Sequence, residues 1–221
     1  MNLKKIFLLL FALFLLGDLV AVHLNSPAEA FLKPGILSSL IGYYLLAVPG
    51  IFHRKFLVAL ILCLVGDVLL IFARGNEVYF VGGLMAFLSA HVLYIQVFRA
   101  LINPDRTAGT RYEILPFIFL IIISGILILV HLYKDLGEMV MPVIIYTIVI
   151  CLMAIQALMR KGKTVPVSFY LTLAGALLFM ISDISLAISR FRAEFDHSGL
   201  LIMSTYGSAQ LLIVLGVLRH E

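Results

Sequence analysis

Three acids lie inside long apolar stretches of this 221-residue chain: Asp18, Asp67 and Asp183. A charged side chain in hydrocarbon costs about 3 kcal/mol on insertion scales, so such residues turn towards a bundle interior and are candidates for function. Asp67 and Asp183 each stand seven residues before an arginine, Arg74 and Arg190, and Asp18 stands seven before Asn25. At 1.5 Å per residue, all three are expected about 10 Å below the same end of their helices. Other polar groups reach that zone. Tyr146 and Tyr206 each fall seven residues into their stretches, and Lys33 stands at the entrance of its own, directly before Pro34. His91 lies nearer mid-membrane with Tyr94 three residues on, and Gln210 follows Tyr206 by four, so each pair shares a helix face. Together these residues predict a polar pocket in an apolar bundle. Each also has a plainer reading. An intramembrane Asp can pair with Lys33 or accept Tyr and Ser hydroxyls, and Tyr146, Tyr206 and Gln210 can simply join helices. His91 can be a packing residue, Lys33 can snorkel to the interface, and Arg74 and Arg190 can be interfacial anchors.

The elements that carry these residues follow from composition. Hydrophobic residues make up 63 % and charged residues 13 %, and the mean hydropathy is +1.14. These values exclude a soluble globular domain, a disordered chain and a disulfide scaffold. The expected fold class is all-α: a polytopic membrane bundle of eight transmembrane helices, forming a single domain over 1–221. The spans are Ile6–Leu24, Phe31–Ile51, Phe56–Ala73, Val78–Phe98, Tyr112–Leu132, Met139–Met159, Pro166–Ser189 and Gly199–Leu218. Each is near the 20 apolar residues that cross a bilayer core, and each must be helical to satisfy its backbone in lipid. With the N-terminus inside, the inner segments hold eleven Lys and Arg and the outer segments five. Both termini are therefore expected in the cytoplasm, in the inner membrane if the source is bacterial. Lys4–Lys5, an apolar run and Ala28–Ala30 also resemble a cleavable signal peptide, but the run is long and contains Asp18.

A weak internal repeat accompanies the spans. Gly66-Asp67-Val68-Leu69-Leu70-Ile71 resembles Ser182-Asp183-Ile184-Ser185-Leu186-Ala187, and Gly83-Leu84 and Gly199-Leu200 recur at the same offset. The pattern suggests two parallel four-helix repeats, with halves 1–105 and 106–221; chance similarity among apolar segments is the competing reading. The net charge of +4 is dispersed between apolar runs, so no nucleic-acid partner is expected. Cys63 and Cys151 both lie in apolar runs and call for neither a disulfide nor a metal. No nucleophile elbow, zinc helix, P-loop or dinucleotide turn is present.

In the order and spacing of several motifs, the chain resembles the YhhN family of lysoplasmalogenase-like membrane proteins. The matching segments are Lys33-Pro34, Gly66-Asp67-Val68-Leu69-Leu70, Ala90-His91-Val92-Leu93-Tyr94, Gly175-Ala176-Leu177-Leu178-Phe179 through Ser182-Asp183, and Tyr206 with Ala209-Gln210-Leu211. The fifth span adds nothing to the match. The resemblance implies an integral membrane ether hydrolase that cleaves the vinyl-ether bond of a lysophospholipid, giving a fatty aldehyde and a glycerophosphoalcohol, with membrane lipid as its surroundings. A vinyl ether hydrolyses by protonation of the alkene carbon, capture of the oxocarbenium ion by water, and collapse of the hemiacetal. This needs an acid, a base and nearby negative charge, roles that two carboxylates divide in glycosidases; no cofactor or metal is required. The expected acid/base pair is Asp67 and Asp183, with either in either role. His91, Tyr94, Tyr146, Tyr206, Gln210 and Asp18 are supporting candidates, and Lys33 could attract the phosphate or tune a carboxylate. A small-solute or lipid transporter and a non-catalytic lipid-binding protein are the rival classes, since intramembrane acids and paired halves occur in transporters too.

Overall fold

The computed structural model describes residues 2–48, 54–73, 75–103 and 111–220, without the side chains of 111 and 112. Every long element among them is an α-helix: α1 (Leu3–His23), α2 (Glu29–Ala47), α3 (Arg54–Ile71), α4 (Glu77–Ala100), α5 (Leu115–Leu132), α6 (Val140–Leu158), α7 (Pro166–Phe191) and α8 (Ser198–Leu218). The all-α bundle expected from hydropathy is the observed fold. Seven of the eight helices are long and apolar enough to cross a membrane. The exception is α3, which carries Arg54 and Lys55 in its first turn as well as Asp67. Arg74, the end of the second span (Pro49–Ile51), His53 and the connection through Arg106 lie outside the described residues.

The fifth span begins later than its hydropathy suggests. A 3-10 turn covers Arg111–Ile114, and α5 starts at Leu115 with Pro116 in its first turn. Proline has no N–H to donate and its fixed φ suits the opening turn. Pro166 opens α7 in the same way. On α5 the side chains of Phe117, Phe119, Leu120, Ile123, Ile126 and Leu127 are exposed, as lipid-facing residues should be.

The chain forms two compact units, Met1–Val97 and Phe98–Glu221. In the first, α1 packs on α2 through glycines: a side chain at Gly35 would strike the Phe14 ring, and one at Gly42 the Phe7 ring. In the second, Gly175 and Gly216 bring α7 and α8 into backbone contact, and Gly125 admits Cys151 between α5 and α6. Lipid is as apolar as leucine, so helices in it associate by such close approach and by interhelical hydrogen bonds rather than by hydrophobic burial.

Candidate active site

In the first unit the charged residues expected to matter are withdrawn from the surface. Asp67 is 2 % exposed and Asp18 is fully buried. Neither carboxylate oxygen of Asp18 has a hydrogen-bond partner among the described residues. Lys33, half-buried near the start of α2, acts on Asp18 through its charge, as does Glu29 with opposite sign. His91 is fully buried on α4. Tyr94, one turn on from His91, is buried in an aromatic cluster. Its ring lies 5.7 Å from Phe56, which in turn contacts Tyr44 at 4.9 Å. The Tyr94 hydroxyl meets Cys63 Sγ at 3.8 Å, one helical turn before Asp67 on α3.

In the second unit two predicted residues meet directly. The Tyr146 hydroxyl on α6 donates to Asp183 Oδ2 on α7 at 2.6 Å. Tyr146 is buried and Asp183 half-buried. The neighbouring Ser182 donates to the Ile202 carbonyl on α8 at 3.1 Å, so α7 is tied on both sides at the level of the carboxylate. Tyr206 lies edge-on to Phe179 at 5.3 Å, and Phe179 is one turn before Asp183. Gln210 is fully buried one turn beyond Tyr206.

The helix ends revise the expected common depth. Asp18 stands five residues before the end of α1, Asp67 four before the end of α3, and Asp183 eight before the end of α7. These correspond to about 7.5, 6 and 12 Å along the axes. The difference arises because α3 tightens early: the Phe72 and Ala73 amides bond to the Leu69 and Leu70 carbonyls, whereas α7 continues to Phe191.

One buried charge was not singled out by the sequence: Arg160, one of the eleven basic residues counted on the inner segments. The residue is fully buried at the end of α6. Its guanidinium donates to Thr172 Oγ1 at 2.6 Å and to Ser168 Oγ at 2.7 Å, and the Ser168 hydroxyl donates to the Gly216 carbonyl at 2.6 Å. The Phe98 ring lies 5.9 Å from the guanidinium carbon. Burial lowers the Arg160 pKa to about 10, so the group remains charged at neutral pH. The available signal was the pair Ser168 and Thr172, four apart on the first turns of α7 and hence on one face.

Two buried carboxylates, Asp18 and Asp67, and a half-buried one held by a phenol, Asp183, thus stand on apolar helices, where an ionisable residue is a candidate functional group. The YhhN family matches residues 3–217, and the chain belongs to it. It is 33 % identical over 171 residues to lysoplasmalogenase TMEM86A of Bos taurus, covering 76 % of this chain and 66 % of that one. It is 36 % identical to lysoplasmalogenase TMEM86B of Homo sapiens, covering 73 % and 62 %. With the lysoplasmalogenase of Mycobacterium bovis the identity is 31 % over 210 residues, covering 89 % and 76 %. The chain thus spans slightly less than two thirds of the two mammalian relatives' lengths. No solved structure matches it.

Proposed function

We propose that this chain is an integral membrane hydrolase that cleaves the vinyl-ether bond of lysoplasmalogen-type lysophospholipids, releasing a fatty aldehyde and a glycerophosphoalcohol. Membership of the YhhN family and relatives named lysoplasmalogenase support the reaction class. The observation that carries the chemistry is the 2.6 Å bond from Tyr146 to Asp183. A phenol that donates leaves the carboxylate as acceptor, the form that takes a proton from water. Asp183 is then the base, and Asp67 is the acid that protonates the alkene carbon. Water adds to the oxocarbenium carbon as Asp183 removes its proton, and the hemiacetal collapses to aldehyde and alcohol. His91, Tyr206 and Gln210 orient these groups. The excess of Lys and Arg on one set of loops favours cytoplasmic termini, with the acids towards the outer leaflet.

The test is aldehyde release by the purified protein in detergent from an alkenyl lysophospholipid. Wild type should release aldehyde stoichiometrically with the glycerophosphoalcohol. Asp67→Asn and Asp183→Asn should each lose about 100-fold or more, the usual scale for a positioned acid or base. An inert wild type, or folded variants with unchanged rates, refutes the proposal. A transporter would instead accumulate the intact lipid or a solute in vesicles without aldehyde.

A further inference from the structure

An apolar groove of about 380 Å³ lies between the end of α5 and the start of α6 in the second unit. Leu129, Val130 and Tyr133 line it from α5, Ile144 from α6, and Lys134 and Leu136 from the connection. Its origin is in the packing. At Gly125 the two helices are close: a side chain there would stand 2.7 Å from Cys151 Sγ and 3.2 Å from Thr147 Cγ2. Leu129 is one turn further along α5, and Ile144 lies three residues before Thr147 on α6. The groove therefore begins where that close approach ends and larger side chains take the place of glycine. It lies apart from the candidate active site. Ile144 is two residues from Tyr146, about 200° around α6, so the groove is on the face turned away from the bond to Asp183. Val130, Tyr133 and Lys134 are exposed at its mouth. Lys134 is the charged residue of the wall. Its ammonium forms no ion pair or hydrogen bond among the described residues, although Asp135 and Glu138 follow within four positions.

We propose that this groove holds one acyl chain of a bilayer phospholipid whose phosphate meets the Lys134 ammonium, a lipid site separate from the catalytic one. Both helices are long and apolar enough to cross the membrane, so the groove opens to lipid. Its aliphatic walls offer water no set of polar partners, and packed proteins do not leave spaces of this size empty. The occupant is then hydrocarbon. A second helix, about 10–12 Å across with its side chains, is too wide for the volume, whereas a single alkyl chain can lie along the four residues from Leu129 to Tyr133. The head group follows from charge. The wall holds a cation and no acid, so it complements an anion. Tyr and Lys are residue types that sit at the head-group level with their apolar parts in hydrocarbon. An ammonium binds phosphate as a point charge, and phosphate is the anion that a phospholipid brings to that level. The chain so held fills the space between α5 and α6 beyond Gly125. This inference does not depend on the hydrolase reading.

The experiment titrates the delipidated, detergent-solubilised full chain with dioleoyl phosphatidylglycerol, and separately with dioleoylglycerol, which has the same chains and no phosphate. Native mass spectrometry counts the retained copies. Wild type should retain one phosphatidylglycerol more tightly than any further copy, and more tightly than dioleoylglycerol. Lys134→Gln should weaken that first copy about fivefold, the upper end of what an exposed ion pair contributes, and leave dioleoylglycerol unchanged. Val130→Trp, which places a ring in the groove, should remove the preferred copy of both lipids. Both substitutions are at exposed positions, and an unchanged melting temperature without lipid shows that the fold is kept. Equal retention of the two lipids by wild type overturns the proposal, as does a first copy that survives Val130→Trp, since the lipid then lies elsewhere. A wild type that retains a second protein chain in place of lipid overturns it too. Aldehyde release separates this site from the catalytic one. In an active enzyme both variants should keep the wild-type rate, and loss of turnover in Val130→Trp would put the substrate's own chain in the groove and overturn the assignment. If wild type releases no aldehyde but shows the expected retention, the lipid site stands and the hydrolase reading falls.

Discussion

Arg160 offers a sharp test of how the second unit is held together. Its guanidinium makes two short hydrogen bonds, to Thr172 and Ser168, and lies against Phe98. Its Nε has no hydrogen-bond partner among the described residues. Charged hydrogen bonds contribute about 1.5–3 kcal/mol each, and taking the cation out of water costs several kcal/mol in the opposite direction. Arg160→Met removes the charge and its desolvation together and fills most of the space, so the net loss should be about 1 kcal/mol. Arg160→Ala also leaves a cavity and should lose about 2–3 kcal/mol. Arg160→Lys should be as poor as Ala or worse. It keeps a buried charge but has no planar fork to reach both hydroxyls. Thermal unfolding in detergent gives the order; for a chain of this size about 3 kcal/mol corresponds to roughly 6–12 °C. A Lys variant as stable as wild type refutes the reasoning, because the fork would then be dispensable. The pH dependence has a definite sign. Burial lowers the folded-state pKa to about 10, below that of the unfolded state, so above about 10 the unfolded state binds more protons and stability rises with pH. Below about 10 both states are protonated, and the wild-type advantage over Arg160→Met should be flat through neutrality.

Three further outcomes follow from particular contacts. Tyr146→Phe removes the hydroxyl on Asp183 and should lower kcat about tenfold, with a smaller change in KM, in the aldehyde assay; unchanged kcat would mean that the bond only joins α6 to α7. Gly175→Ala sets a Cβ 2.7 Å from Ile213 Cγ1 and 2.8 Å from the Ala209 carbonyl oxygen. Because one obstacle is backbone, α7 and α8 must separate at a cost of about 1–3 kcal/mol, readable as a lower melting temperature. Tyr94→Phe keeps the ring beside Phe56 and removes the hydroxyl's contact to Cys63 Sγ, so stability should fall by about 1 kcal/mol or more, readable as a lower melting temperature.

The helices were legible because hydropathy and chain length leave little choice in a bilayer, and seven of the eight expected spans pass that criterion as observed helices. The helix ends were less so, since they depend on local turns: the early tightening after Leu69 and the 3-10 entry to α5 do not register in apolar content. Within the candidate site, the sequence singled out Asp183 as an acid inside an apolar span and Tyr146 by its depth, and they meet. For Tyr94 helical spacing gave the face but not what opposes it, which includes Phe56 and Cys63. Arg160 did not stand out because a basic residue next to Lys161 and Lys163 counts towards orientation and nothing more. Its burial depends on hydroxyls eight and twelve residues later.

What holds Asp183 in place bears directly on how it could act. Helices in lipid gain little from burying apolar surface against one another, so their register depends on polar joins and on glycines that permit contact. In the second unit these joins lie along α7. Near its start Arg160 and Ser168 connect it to the end of α6 and to Gly216 on α8. In the middle Gly175 allows the α8 backbone to touch it. Fifteen residues after Ser168, about 22 Å along the axis, Tyr146 grips Asp183 from α6 while Ser182 holds the Ile202 carbonyl on α8. A carboxylate gripped from α6, on a helix that the adjoining Ser182 bonds to α8 and that is clamped again at its far end, is restrained from reorienting during a proton transfer. That rigidity suits a base whose contribution depends on being placed before the reaction begins. It also means that substitutions at Arg160 or Gly175, far from any reacting atom, should lower kcat as well as stability, in proportion to how far they let α7 slide.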